Sequence, residues 1–427
     1  MKHTRYREFT SISPQPGVRL CALESDRYKT ARARVFLLGP LRARDATVTS
    51  LLASCLRAGS EAHPTRRDLA RATEELYGAT LGVSVSRVGD LQALTASIEF
   101  PADRFLPKGS KEMQRSLDLL GEVLLRPALN ADYSAMRADV VEQERFQLGN
   151  ELNALQDDKP TWAAIQATRM IYAGTPGAVY EHGAVEDLPG ITPAELLQRH
   201  RLLVGNARVF AFVTGPVGTE AALKALHRAL PLPKTRRPAL PGHAVLKARA
   251  SVQRRRMQAT TEQTHLVFAW SGGPLYGTPA FAPALFADTI FGGYSMSRLF
   301  KVVREQHGLA YAVHSSYQRA RGVLMAQAAV DNAKADKAVS LIRSEFKRLV
   351  QKGFFPEEFD AVRESLVESR KSAMDSMSAR VSDLLVQSTM GFRQSLEQQI
   401  RQIRAVKPSQ VQAVLRRFKP HSEFRLG

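Results

Sequence analysis

One stretch of this chain is written twice. Residues 75–85, ELYGATLGVSV, lie without a gap over residues 305–315, EQHGLAYAVHS, 230 positions further on. Each copy follows an apolar helix-like segment, a small-residue turn and a second helix. The turn is Gly59-Ser60 in the first case and Gly292-Gly293-Tyr294-Ser295 in the second. Each copy then leads into alternating sequence that reads as a strand, over 91–100 and 322–330. A second pair follows in the same order. Residues 128–137 match 354–363, and each opens a long charged helix after a short turn. The acids there, Asp132 in one copy and Glu357 and Glu358 in the other, suit the positive end of a helix dipole. Two ordered matches predict tandem homologous domains, which constrains the fold more than any composition does.

Between the copies lies LPLPKTRRPALPG, residues 230–242. Its four prolines forbid helix and favour an extended, stiff connector. Strand-like 207–215 closes the first half and 258–270 opens the second. The expected division is a domain over 1–228, a linker over 229–248 and a domain over 249–427. Strands and helices alternate in each half, but the strands carry period-two patterning. The reading is α+β, with helices on one face of a mostly antiparallel sheet in each domain.

Composition excludes several classes. With 427 residues and 44% hydrophobic content, the chain can fill two cores. Its longest apolar stretches, such as 208–213, are strand-length and too short to cross a bilayer. The segment 1–8 leads into no apolar core of a secretory signal. Cys21 and Cys55 are too few for a disulfide framework and read as lone buried thiols in a reducing cytoplasm. The formal charge of +19 could serve nucleic acid, an acidic protein face or acidic substrates. The basic residues are dispersed, however. The densest clusters, at 234–237 and 254–256, lack interleaved aromatics, so a solvated basic surface is expected rather than a nucleic-acid site. None of the ten histidines stands three or four residues from another, so the usual metal spacings are missing. Glu181-His182 reads as an ordinary surface pair in a loop. There is no G-x-S-x-G elbow, P-loop or dinucleotide fingerprint.

The run Ser297-Arg298-Leu299-Phe300, followed by Val303-Arg304-Glu305-Gln306-His307-Gly308-Leu309-Ala310-Tyr311, resembles the second-domain signature of the pitrilysin/insulinase family, which includes the mitochondrial processing peptidases. The resemblance runs over nearly the whole chain. Thr65-Arg66-Arg67-Asp68-Leu69-Ala70, with Glu74 to Ala79, is similar to one bacterial subgroup, the zinc-less proteins associated with 5-aminopentanol modification of elongation factor P. The family's inverted zinc motif, H-x-x-E-H, sets two histidine ligands and a catalytic glutamate on one helix. Here Ser50, Ala53 and Ser54 hold those places. A hydroxyl is a poor zinc ligand, and alanine cannot act as a base. Glu151 falls where the resemblance puts the third ligand, and Glu144 where it puts a supporting acid.

The resemblance further implies that Arg304 and Tyr311 contact bound peptide, since both are donors able to hold a carbonyl or an oxyanion. Packing of Tyr311 in a core strand and pairing of Arg304 with an acid is the competing reading. Gly292-Gly293 stands where some relatives grow a substrate loop, but it is short and reads as a helix-terminating turn. The expected function is that of a cytoplasmic, non-zinc subunit of a heterodimeric metallopeptidase. It would have no metal of its own, would partner a zinc-bearing pitrilysin-type subunit, and would bind unfolded or extended peptide. Homo-association is a further expectation, and membrane binding is not expected. The alternative is an inactive binding or scaffold protein, linked to translation-factor modification.

Overall fold

The computed structural model describes residues 8–234, 240 and 242–427. The first-residue region and much of the proline-rich connector, residues 235–239 and 241, lie outside it, as does most of the 234–237 basic cluster. The chain divides into two compact units. One holds residues 1–153 and 179–241, the other 154–178 and 242–427.

The first unit carries β1 (Thr10–Gln15), β2 (Val18–Glu24), β3 (Thr30–Pro40), α1 (Ala43–Ala58), α2 (Arg66–Glu74), β4 (Thr80–Val88), β5 (Leu91–Pro101), α3 (Glu112–Leu125) and α4 (Ala138–Ala154). After the excursion of α5 (Lys159–Ile171) it resumes with α6 (Pro193–Asn206), β6 (Arg208–Gly215) and α7 (Thr219–Ala229). Its sheet runs β1-β2-β6-β3-β5-β4, antiparallel throughout except for the parallel pair β2/β6. Alternation builds it. Ala31, Ala33 and Val35 of β3 are buried, while Arg32 projects from the other face and pairs with its cross-strand neighbour Glu99.

The second unit carries β7 (Gln253–Met257), β8 (Gln263–Ser271), α8 (Phe281–Asp288), β9 (Ala310–Gln318), β10 (Val323–Asp331), α9 (Ala335–Lys352), α10 (Pro356–Asp375), α11 (Met377–Thr389), α12 (Leu396–Arg404), α13 (Pro408–Arg417) and β11 (Lys419–Leu426). Its sheet runs β7-β11-β8-β10-β9, again antiparallel except for one parallel pair, β11/β7. Written from the opposite edge, β4-β5-β3-β6-β2 and β9-β10-β8-β11-β7 are the same sheet twice. The duplication therefore extends to strand order and direction, and the architecture is two-domain α+β.

The start signals are local. Thr65 and Asp68 form a reciprocal capping box on α2, and Ser395 and Gln398 do so on α12. Prolines stand in the first turns of α5, α6, α10 and α13, where a missing N–H costs nothing. The repeated ELYG/EQHG stretch is the turn from helix into edge strand. Gly78 and Gly308 have φ of 74° and 56°, the left-handed values that glycine adopts without a Cβ penalty.

The units differ in what covers their sheets. In the second, Leu266, Phe268 and Trp270 face a core built with Phe286, Ile342, Phe346 and Val362 of the helices. Trp270 stacks on Phe346 at 4.4 Å between ring centroids. Val267, Ala269, Val323, Met325 and Phe424 on the opposite face are covered by Ala163, Ala167, Met170 and Ile171 of α5. Helices thus flank this sheet on both faces, and the second cover comes from the first half of the sequence. A single cut at 229–248 does not describe this exchange. The basic run Arg254 to Arg256 sits on β7 at the sheet edge, where charge discourages further strand pairing.

Candidate functional site

The first candidate site is on α1. Ser50 and Ala53 are buried at 4% exposure each, and Ser54 is half-buried. A loop, residues 180–187, lies against this helix. The Ser50 hydroxyl donates to the Glu181 carbonyl at 3.4 Å, and the Gln92 amide donates to the same oxygen at 2.6 Å. Thr47 Oγ1 accepts from the Ala184 N–H at 3.1 Å and donates to Asp187 at 2.7 Å. Gly183, at φ 87°, approaches so closely that a Cβ would stand 2.1 Å from Thr47 Oγ1. Ser50, the position that would carry the first histidine ligand, is thus hydrogen-bonded into a loop contact.

Glu151 is exposed on α4. It acts electrostatically on His182, whose ring packs 5.2 Å from Tyr180. Burial holds the His182 imidazole below its ordinary value, against the opposing pull of Glu181 and Glu151. Sequence reasoning placed Glu181-His182 as an unremarkable surface pair. The structure puts it beside the α1 positions and Glu151, a placement that only the docking of the loop through Thr47 and Gln92 reveals. Glu144 is elsewhere in purpose. It is 1% exposed and paired with Arg66, and it lies close enough to Cys55 to act on the thiol. Burial first, then Glu144, pushes Cys55 up to about 12, so this thiol is inert. Both cysteines are free and buried.

The donor set does not fit a catalytic zinc. Such a site needs three strong protein ligands and an open position. Two hydroxyls and a methyl group on α1, with Glu151 and a neutral His182 nearby, supply two strong donors at most. Among the described residues no group of three or more His, Cys, Asp or Glu is gathered as for a metal.

The second candidate site is on the second unit. The segment carrying Arg304, Phe300–Gln306, winds as a π-helix, and Arg304 stacks over the Phe300 ring at 4.9 Å. Gly308 and Leu309 donate back to the Arg304 and Val303 carbonyls at 3.0 and 2.9 Å, which turns the chain into β9. Tyr311 follows on β9 with 65% of its surface exposed. It is not a core tyrosine, and among the described residues Arg304 shows an aromatic contact and no acid partner. β9 ends the sheet order, so one of its edges has no strand partner among the described residues. Gly292 is more than a terminating turn. It belongs to the π-helical Thr289–Gly293 and lies so close to β9 that a Cβ would stand 2.6 Å from the Ser315 nitrogen.

Residues 190–366 match the family described as the Peptidase M16 inactive domain. That stretch contains Arg304 and Tyr311 but not α1. The M16 peptidase fold is present. A conserved protein from Enterococcus faecalis V583 superposes with a TM-score of 0.88 at 25% identity, over 98% of each chain. A peptidase M16 inactive domain from Pseudomonas fluorescens superposes with a TM-score of 0.78 at 20% identity, over 99% of this chain and 98% of that one. The Bacillus subtilis protein named "Probable inactive metalloprotease YmfF" is 24% identical over 360 residues, 84% of this chain and 83% of its own. With the donor set on α1, these likenesses support the reading of a catalytically inactive peptidase homologue. No helix among the described residues is long and apolar enough to cross a membrane.

Proposed function

We propose that this chain is a peptide-holding, non-zinc subunit of a heterodimeric metallopeptidase. The observation that carries the proposal is the exposure of Tyr311 on an edge strand, one turn of chain beyond an Arg304 stacked on Phe300. An extended peptide would add to the open edge of β9 through its backbone. Arg304 and Tyr311 would donate to its carbonyls. A partner chain with an intact H-x-x-E-H helix would supply zinc, the activated water and the general base. The basic surface favours acidic substrate segments or an acidic partner face.

Co-purification with such a zinc-bearing chain, followed by a peptide-cleavage assay, tests this reading. Arg304→Ala and Tyr311→Phe should each lower kcat/KM by about tenfold or more while the complex stays intact. Full activity in both variants removes the donor role. The second reading is a scaffold without any part in hydrolysis, as the loop docked on α1 at Thr47 and Ser50 would allow. It predicts no complex with a zinc-bearing relative and stable capture of a folded client. A link to translation-factor modification falls under this reading, and capture of elongation factor P or its modifying enzyme would support it.

A further inference from the structure

The first unit holds a cavity that neither candidate site uses. Its volume is about 580 Å³, within the range of pockets that enclose a small organic ligand. It lies between the end of α3 and the second half of α6, and the loop after α3 closes one side. One bond ties the two helices together there: His200 Nε2 of α6 donates to the Leu124 carbonyl of α3 at 2.8 Å. A carbonyl only accepts, so the ring proton is on Nε2 and Nδ1 is left as an acceptor. Burial holds this imidazole below its ordinary value, so the ring is uncharged in neutral solution. It is 4% exposed and lines the cavity, and its Nδ1 has no partner among the described residues. A buried acceptor without a partner is uncommon, and the N–H of a ligand would satisfy it.

The walls are apolar, with Leu125, Leu129, Leu197 and Val204. Leu125, Leu129 and Val204 are only half-buried, so this surface is not already spent in the core. The charged lining is mostly cationic, with Arg126, Arg137 and Arg201 against Glu61. Arg137 is taken up by Asp139 and the Pro64 carbonyl. Arg126 is exposed and comes no nearer than 4.0 Å to Glu122, and Arg201 is exposed with no ion pair among the described residues. Each stands within two residues of the His200–Leu124 contact, so two available cations flank one buried acceptor. Tyr133 also lines the cavity, 63% exposed and at φ 59°, a left-handed conformation that is costly for a bulky residue. Asn130 and Asp132 hold its turn by accepting from the Ala135 and Ser134 N–H groups.

We infer that this cavity binds an N-acyl amino acid with a free carboxylate and an apolar side chain, the chemistry of a peptide's C-terminal residue. Three groups of the ligand answer three features of the site. The carboxylate meets Arg126 and Arg201, the amide N–H meets His200 Nδ1, and the side chain lies on the leucine and valine wall. A fully ionised phosphate has no donor for His200 and no apolar body. An apolar ligand would leave the imidazole and both arginines unanswered. The inference rests on the first unit alone and does not depend on Arg304, Tyr311 or a zinc-bearing partner.

The probe is a fluorescein-labelled hexapeptide, Gly-Ser-Gly-Ser-Leu-Leu, with a free carboxylate, compared with its C-terminal amide by anisotropy on the full chain. Saturable binding of the acid is expected, and the amide should bind about tenfold more weakly, the worth of one charge-assisted bond. Arg126→Gln with Arg201→Gln should weaken the acid by about tenfold and leave the amide unchanged. Both arginines are exposed, so an unchanged thermal midpoint shows that the double variant is folded. Val204→Trp, which fills the cavity and leaves its charges in place, should abolish binding of the acid. Competition separates the two sources of this chemistry. Displacement by N-acetyl-leucine shows that a free N-acyl amino acid suffices, whereas displacement by the unlabelled hexapeptide alone shows that a chain end is required, and either supports the inference. Absence of saturable binding of the acid overturns it. So does equal affinity for acid and amide, or indifference to the arginine substitutions, either of which would mark adsorption of leucine to an apolar surface.

Discussion

The two units repeat one strand order, each in its own sheet, and differ in what they leave accessible. In the first, a continuous helix of 16 residues, α1, runs where the zinc motif would be, and its small residues are hydrogen-bonded beneath a loop. In the second, the equivalent stretch is α8 followed by two π-helical segments, and it presents Arg304 and Tyr311 to solvent. π turns are costly and concentrate at functional sites. The strand order is common to both halves, whereas the small residues of α1 and the exposed Arg304 and Tyr311 sit on different copies.

The largest expected effect breaks the comparison at α7, where a Cβ on Gly121 of α3 would stand 2.0 Å from the Ala229 carbonyl oxygen. Gly121→Val should force α3 from the Ala229 carbonyl and destabilise the first unit by about 3 kcal/mol or more, as steric overpacking at backbone does, measured by urea unfolding. Next comes the loop on α1. Gly183→Ala meets both a positive φ and Thr47, and should cost about 2 kcal/mol and raise protease sensitivity at 180–187.

A third prediction concerns pH in the second unit. Burial raises Asp288 to about 6, and burial with Arg249 lowers His421 to about 4. A raised acid gives stability that is present at low pH and lost as pH climbs from the unfolded carboxyl value to 6. A depressed histidine gives stability that is present above its unfolded value and lost as pH falls towards 4. The two oppose each other in one window, so the native chain should vary little there. Asp288→Asn should leave the histidine uncompensated and make stability rise from pH 4 to 6.5, with the aspartate's share on the order of 3 kcal/mol. An unchanged profile in thermal melts would contradict this. The smallest effect is at the exposed pair. Arg304→Ala and Tyr311→Phe should move stability by no more than about 0.5 kcal/mol, because both are exposed. A large loss would assign them to structure rather than to peptide.

Much of the strand pattern was legible. The alternation at 91–100 and 322–330 became β5 and β10 at Leu91–Pro101 and Val323–Asp331, and the acidic openings marked the approaches to α4 and α10. The repeat predicted equal sheets, since period-two burial is written locally. The exchange of α5 was not legible. Its Ala163, Ala167 and Met170 declare an apolar face but not which sheet that face covers. Nor was the placement of His182, because hydrogen bonds to Thr47 and from Gln92, more than 80 residues away in sequence, bring the loop to α1. α7 also escaped notice beside the proline-rich connector, although its apolar spacing is regular. That Ser50 and Ser54 are poor zinc donors, and Ala53 no base, is legible in the sequence, because it follows from residue identity.

On the proposed function the first unit lacks cation chemistry and the second holds peptide. Zinc titration of the metal-stripped full chain tests the first of these most directly. No saturable binding at micromolar zinc is predicted, because Glu151 and His182 are too few to hold the ion. One equivalent of tightly held zinc, lost on Glu151→Gln or His182→Ala, would contradict it.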